Sequence, residues 1–532
     1  MERFFNTEGP MDLEEHYTID PLTRCNLDEI LTLIRRRKYF VLHAPRQTGK
    51  TSFLLALMKY LNEQGTYHCL YINVEAAQAW REDVSMAMQS ILSELTSRAK
   101  YSLNDSFPRT VWKEILETDG PGAAFNQLLT QWSVEIEKPI VLFIDEIDSL
   151  IGDTLLSVLR QLRAGYDKRP AFFPQSIILC GVRDIRDYRI HASSEKSAIT
   201  GGSAFNIKAE SLRVGDFDQA ETTQLYQQHT DETEQQFTTD ALERLWSLSQ
   251  GQPWLVNALG NELTYKMVEN RDRSVVIDEQ MVEEAKERLV ISRAVHIDQL
   301  AHKLEEVRVR RVIEPLLSGD SELESVDQDD VQYARDLGLI KATGKKIAIA
   351  NPIYQEVIPR ELTYTTQLKI NHETHWYIDE QGRLDMHKLL SAFQQFFREH
   401  SESWLQQFDY REAGPQLLMQ AFLQRIVNGG GQVHRKYGQG RKRTDLLVLW
   451  PFKDKAGVEQ IQRIVIELKI LYKSLEKTLD EGLKQTWDYM DRGNANEGHL
   501  IIFDRTLDKP WSEKIWVQNK TYQETSIIVW GM

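Results

Sequence analysis

The stretch "KYFVLHAPRQTGKTSFLLALMKYL", residues 38–61, constrains the fold more than any other part of the chain. Tyr39 to His43 are β-prone, Ala44 to Thr48 cannot continue a strand, and from Gly49 the apolar residues recur at helical spacing. A strand that turns through Gly49-Lys50-Thr51 into a helix gathers backbone N–H groups at a helix N-terminus, which suits phosphate oxygens. Lys50 is placed to reach β- and γ-phosphates, and the Thr51 hydroxyl is a Mg²⁺ ligand. The usual leading glycine of G-x-x-x-x-G-K-[ST] is replaced by Ala44, which weakens the motif taken alone. The second half restores it. "PIVLFIDEIDSL" (139–150) is a buried apolar strand, expected beside the phosphate loop and ending in Asp145-Glu146. Asp145 holds the Mg²⁺ water shell and Glu146 polarises the attacking water. Both motifs in this order point to a site for ATP and Mg²⁺.

Further strands complete an open parallel sheet. "YHCLYINVE" (67–75) is one, and "SIILCGVRD" (176–184) is another, releasing Gly181, Arg183 and Asp184 at its carboxyl end. Ligands of open α/β sheets bind at that end, so Arg183 is a candidate phosphate sensor. A plain Arg–Asp pair within "RDIRDYR" is the competing reading. "FNIKAESL" (205–212) reads as a fifth strand at an edge.

"HAPRQTGKTS", "FIDEID", "LRQLRAGYDKRP", "LCGVRDIRDY" and "GQPWLVNALG" together resemble bacterial AAA-like and STAND-like P-loop ATPases, over most of residues 1–360. The resemblance implies that the Gly-x-Pro turn of a helical lid touches adenine, which falls here on Gly251-Gln252-Pro253. A rigid Pro253 followed by Trp254 and Leu255 also fits an apolar wall for a base, or a helix–helix turn with a buried Trp.

Residues 214–290 are helical by period with Ser/Thr/Asp starts, as in "TDALERLWSLSQ", and fit a lid. Residues 299–362 give helices followed by "LGLIKATGKKIAIANPIY", two short strands about Gly344, the outline of a winged helix. The preceding "DSELESVDQDD" would be repelled by phosphates, so this module is expected to sense the nucleotide state rather than read DNA.

The tail carries a second constellation. A helix, "GPQLLMQAFLQRIV" (414–427), is stopped by Gly429-Gly430-Gly431; "QVHRKYGQGRKRTDLLVLW" gives two strands, and "IQRIVIELKI" a third. The helix "SLEKTLDEGLKQTWDYMD" and the strand "GHLIIFD" follow. In a strand, residues two apart share a face, so Glu467 and Lys469 point the same way and Asp445 on a neighbour can join them. Two carboxylates and the Leu468 carbonyl make an oxygen cage for Mg²⁺ or Mn²⁺. A cation there activates water while Lys469 positions it or stabilises the leaving charge. The order of elements and Asp445…Glu467-x-Lys469 resemble PD-(D/E)XK nucleases. For the RecB-type branch the resemblance implies Gln485 and Tyr489 beside the site and Glu412 as a first-helix carboxylate. "RKYGQGRKR" (435–443) concentrates positive charge next to Asp445, as phosphate contact requires.

Charge separates the two regions. Residues 401–532 carry 19 Lys+Arg against 17 Asp+Glu, a net +2, so −17 of the overall −15 falls on residues 1–400. DNA contact therefore belongs to the tail, with RNA left open. Three widely spaced cysteines, an acidic N-terminus and no long apolar run describe a reduced cytoplasmic protein without a membrane span.

The expected architecture is α/β. It comprises a P-loop AAA-type parallel sheet (1–213), a helical lid (214–295), a winged helix (296–362), a connector (363–400) and a restriction-endonuclease-like domain (401–532). The expected function is an ATPase controlling a metal-dependent DNA nuclease, with defence against foreign DNA implied by resemblance alone and an activating partner undefined. Two rivals stand beside it. One is a signalling ATPase whose tail binds nucleic acid without cutting. The other is a ring-forming homo-oligomer that remodels DNA, with Arg160, Arg163 or Arg186 as its arginine finger.

Overall fold

The computed structural model describes residues 2–183, 189–190, 199–200, 208–292, 303–317, 323, 326–344, 346–362, 377–379, 381–405, 419, 422–423, 432–437, 444–453, 457–471, 474–504, 506 and 509–532. The chain divides into two compact units: Met1–Ser292 with Asp336–Gly338, and Arg293–Arg335 with Leu339–Met532.

The first unit is built on a parallel sheet. Helix α1 (Leu27–Arg35), capped by the Asn26 side chain on the Glu29 N–H, leads into β1 (Tyr39–His43). Helix α2 (Lys50–Glu63) follows the phosphate loop and returns the chain to β2 (His68–Asn73). Helices α3 (Val84–Leu103), α4 (Phe107–Asp119) and α5 (Ala124–Glu135) precede β3 (Ile140–Asp145). Helix α6 (Gly152–Ala164) then precedes β4 (Ser176–Gly181), and β5 (Lys208–Arg213) closes the edge. The order is β2-β3-β4-β1-β5, with every pairing parallel. β4 lies between the Asp145 strand and the phosphate-loop strand, and the end of β3 still meets the start of α2, where the Thr51 hydroxyl reaches Asp145.

Alternation along the strands sorts two cores. Tyr39, Val41, Leu142, Ile144 and Trp132 pack with α3 to α6 on one face. Phe40, Leu42, Tyr71, Phe143 and Cys180 pack with α1 and α2 on the other. Asp145 continues the second series, so its side chain emerges on the α2 face.

Four helices complete this unit: α7 (Gln219–Thr233), α8 (Thr239–Ser249), α9 (Pro253–Asn261) and α10 (Glu279–Ile291). Each starts on a side-chain cap from Asp218, Thr238, Gln252 or Asp278, the Asp218–Glu221 pair forming a capping box.

The second unit begins with α11 (Val307–Leu317) and α12 (Gln328–Asp336), a hairpin of β6 (Ile340–Thr343) and β7 (Lys346–Ile349), and α13 (Pro352–Leu362). Helix α14 (Met386–Leu405) runs through the stretch expected as connector and across position 400. Its Phe393 and Phe397 rings meet Phe503, so it packs on the C-terminal sheet.

That sheet is mixed and six-stranded. Its strands are β8 (Gln432–Tyr437), β9 (Thr444–Lys453), β10 (Glu459–Ile470), β11 (Glu497–Phe503), β12 (Trp516–Tyr522) and β13 (Thr525–Gly531), in the order β8-β9-β10-β11-β13-β12. Helix α15 (Leu475–Gly493) lies between β10 and β11 in sequence and covers one face through Leu483 and Met490. The expected helix over 414–427 falls almost wholly outside the described residues.

Candidate active sites

In the first unit the carboxyl ends of five parallel strands meet the start of α2. Gly49 has φ 88, a left-handed conformation that glycine adopts without steric cost. Gln47 is also left-handed, with φ 58, although it is not glycine. Lys50 is buried, and its ammonium donates to the carbonyls of Ala44 (3.0 Å) and Pro45 (2.9 Å). Ala44 thus occupies the leading-glycine position without loss of the turn, because its backbone oxygen is what the loop uses.

Thr51 and Asp145 meet directly: the Thr51 hydroxyl donates to Asp145 Oδ2 at 2.7 Å. Asp145 is fully buried, and its Oδ1 accepts the Glu146 N–H at 2.9 Å. These two side chains fit a Mg²⁺ ion, one as hydroxyl ligand and one as acceptor for its waters. Glu146 sits in a left-handed turn with φ 56. Burial, and then the neighbouring Asp148, push its carboxyl above the ordinary carboxylate range, while Lys50 opposes them. A general base tuned upward in this way is suited to accept a proton from water near neutral pH.

Arg183 lies at the end of β4, as expected, and its Nε is 3.2 Å from Asp336 Oδ2. Asp336 belongs to the short segment that groups with the first unit. This ion pair reaches across 153 positions of the sequence. Pro253 opens α9 and lines a cavity with Trp254, Phe217, Arg24, Gln47 and Gly49, joining the lid to the phosphate loop. Arg160 and Arg163 are exposed on α6, while Arg186 lies outside the described residues.

The sequence reading missed two contributors here. Arg24 stacks on Phe217 at 4.3 Å and donates to the Gly215 carbonyl, and burial lowers its pKa. The N-terminal segment crosses from the lid to the phosphate-loop helix: Trp254 Nε1 donates to the Thr7 carbonyl (3.0 Å), and Met11 N–H donates to Ser52 Oγ (2.9 Å). No local pattern marks either feature, since both depend on contacts far apart in sequence.

In the second unit, Asp445 on β9 pairs in register with Glu467 on β10. Glu467 is fully buried. The Lys469 ammonium lies 2.6 Å from Glu467 Oε1. Beyond that ion pair, neither carboxylate oxygen of Glu467 has a hydrogen-bond partner among the described residues. Lys469 also donates to Gln485 Oε1 on α15. Gln485 and Tyr489 stand one helical turn apart on α15.

A buried carboxylate whose partner among the described residues is a single ammonium keeps lone pairs for a divalent cation, whose charge would offset the desolvation that the anion bears. Glu412 and residues 438–443 of the basic stretch lie outside the described residues.

A parallel five-stranded sheet, a lysine in a phosphate loop and a Thr51–Asp145 pair define a P-loop ATPase domain. The particular family follows from residues 8–359, which match the AAA-like domain; the chain belongs to that family. The match stops before the C-terminal mixed sheet. Among solved structures the chain is similar to the Walker-type ATPase of Pyrococcus abyssi, at 16% identity and TM-score 0.45 over 66% of this chain and 99% of that one. Cdc6p from Pyrobaculum aerophilum is similar at 17% and 0.37 over 68% and 97%. The RuvB Holliday junction branch migration motor of Thermotoga maritima is similar at 13% and 0.32 over 66% and 97%. No curated protein matches.

Proposed function

We propose that the chain is an ATPase whose nucleotide state controls a metal-dependent nuclease, with DNA as the substrate. In the first unit Lys50 holds the phosphates, Thr51 and Asp145 hold the Mg²⁺ shell, and Glu146 takes the proton from water. Arg183 and the Pro253 turn report phosphate and base to the lid. The two helices and the β6–β7 hairpin that follow act as a winged helix that carries the change onward.

In the second unit Asp445 and Glu467 hold Mg²⁺ or Mn²⁺, with Glu412 as a third oxygen ligand. The ion supplies charge neutralisation and an activated water. Gln485 keeps Lys469 directed at the reacting phosphate. The observation that carries this reading is the fully buried Glu467, whose oxygens have no hydrogen-bond partner among the described residues beyond the ion pair with Lys469, in register with Asp445. Hydrogen-bonded pairing is the rule for buried polar groups, and a carboxylate kept without it marks a site for a cation. The basic stretch at 435–443 supports a polyanionic substrate.

Exposed Arg160 on α6 favours a second feature, a homo-oligomer in which one copy completes the nucleotide site of the next. Plasmid, single-stranded DNA and RNA incubated with Mg²⁺ or Mn²⁺ test the nuclease. Cleavage by the wild type and none by Glu467→Gln or Lys469→Ala is expected. Cleavage that survives both substitutions would assign the activity elsewhere.

A further inference from the structure

Asp145 is held by more donors than nucleotide chemistry requires. Oδ2 accepts from the Thr51 hydroxyl at 2.7 Å and also from the Tyr71 hydroxyl at 3.0 Å. Oδ1 accepts the Glu146 N–H, and the buried Cys180 lies on the neighbouring strand β4. Thr51 and Glu146 come with the two nucleotide motifs. Tyr71 and Cys180 come from β2 and β4, the strands flanking β3 on either side, and both lie on the α2 face of the sheet.

We propose that Tyr71 is a positioning residue for the Mg²⁺ site: its hydroxyl fixes Asp145 so that Thr51 can turn its oxygen to the cation. This inference rests on the ATPase reading. A carboxylate oxygen offers two lone-pair directions, and Thr51 and Tyr71 together fill those of Oδ2. Oδ1 keeps one direction open beside the Glu146 N–H, which is where a cation-bound water is received.

The tyrosine is well placed to act as a fixed donor. Its ring is buried among Phe143, Phe53 and their neighbours, and the Arg98 guanidinium lies 5.5 Å from the ring centroid. Thr51 can then change its orientation without releasing the carboxylate. Groups that orient a metal site from outside its immediate ligands typically contribute about 10-fold or more to metal affinity.

The test is Tyr71→Phe in the full chain, which keeps the ring and removes only the oxygen. Binding of a fluorescent ATP analogue is measured in EDTA and again across a Mg²⁺ titration. The expected result is unchanged affinity in EDTA, which also verifies folding, with the Mg²⁺ midpoint raised about 10-fold. An unchanged midpoint overturns the inference, as does a loss of affinity that is equal with and without Mg²⁺. If the wild type itself gains no affinity from Mg²⁺, the ATPase reading falls and the inference with it.

Discussion

Two lysines show how differently the two sites are prepared. Lys50 donates to two backbone carbonyls of its own loop, and the nearby Asp145 accepts from Thr51, Tyr71 and the Glu146 N–H. Lys469 lies against Glu467, a carboxylate that is equally buried and has, beyond this ion pair, no hydrogen-bond partner among the described residues. The first site is satisfied before any ligand arrives, so its geometry persists without nucleotide. The second keeps an anion in a low-dielectric interior that only an ammonium or a metal ion offsets. One site is organised by hydrogen bonds, the other by a buried ion pair.

The comparison breaks most easily at Lys469. Lys469→Ala leaves a buried charge unpaired, and the metal-free protein is expected to lose about 3 kcal/mol in denaturant unfolding, with Mn²⁺ restoring part of it. A loss no larger than that of an exposed lysine would mean that Glu467 is not held as an anion. Lys50→Ala should have the opposite profile. ATP hydrolysis falls about 100-fold or more, while the unfolding midpoint falls less than in Lys469→Ala, because the partners it leaves are neutral carbonyls rather than a buried carboxylate. A collapse of stability in this variant would erase the contrast.

A smaller effect sharpens the picture of the loop. Gln47→Gly replaces a left-handed non-glycine residue and is expected to stabilise the protein by about 1 kcal/mol. Measured destabilisation would show that the Gln47 side chain makes up more than the strain of its backbone.

The smallest effect is one of pH. The Glu146 carboxyl is raised in the folded protein by burial first and by Asp148 second. The folded state therefore binds its proton at higher pH than the unfolded chain does. Its ionisation weighs against folding as pH rises through the folded pKa, and the penalty is absent below the unfolded one. Glu146→Gln should accordingly be slightly more stable than the wild type at neutral pH and no more stable in acid. An equal shift at both pH values would remove burial of Glu146 as the cause.

What the sequence disclosed follows the range of the forces involved. The phosphate loop and the Asp145 strand were legible because each is a local pattern, apolar run and turn, with fixed chemistry at its end. The position of β4 between β1 and β3 was not, since strand order depends on pairings that local periodicity does not encode. Helix α14 carried a signal that was passed over: the Asp385 side chain caps the Lys388 N–H, and Leu389, Leu390, Phe393 and Phe397 follow at helical spacing. The final hairpin offered none. Its turn residues Gln523 and Glu524 have φ 47 and 66, left-handed positions where Asn or Gly would have announced a turn.

Of the candidate sites, Glu467 and Lys469 were legible as strand neighbours two apart, and the register brought Asp445 to them. Tyr71 was legible in principle, because a tyrosine in a buried strand needs a partner for its hydroxyl. Which partner it found was decided by the sheet.

The central claim is that the two sites belong to one mechanism. Its most direct test is plasmid cleavage by the full chain in Mg²⁺, with and without ATP, using the wild type and Lys50→Ala. Nucleotide-dependent cleavage by the wild type that disappears or becomes nucleotide-independent in Lys50→Ala is the predicted result. Cleavage that proceeds identically in both proteins, with or without ATP, would contradict it.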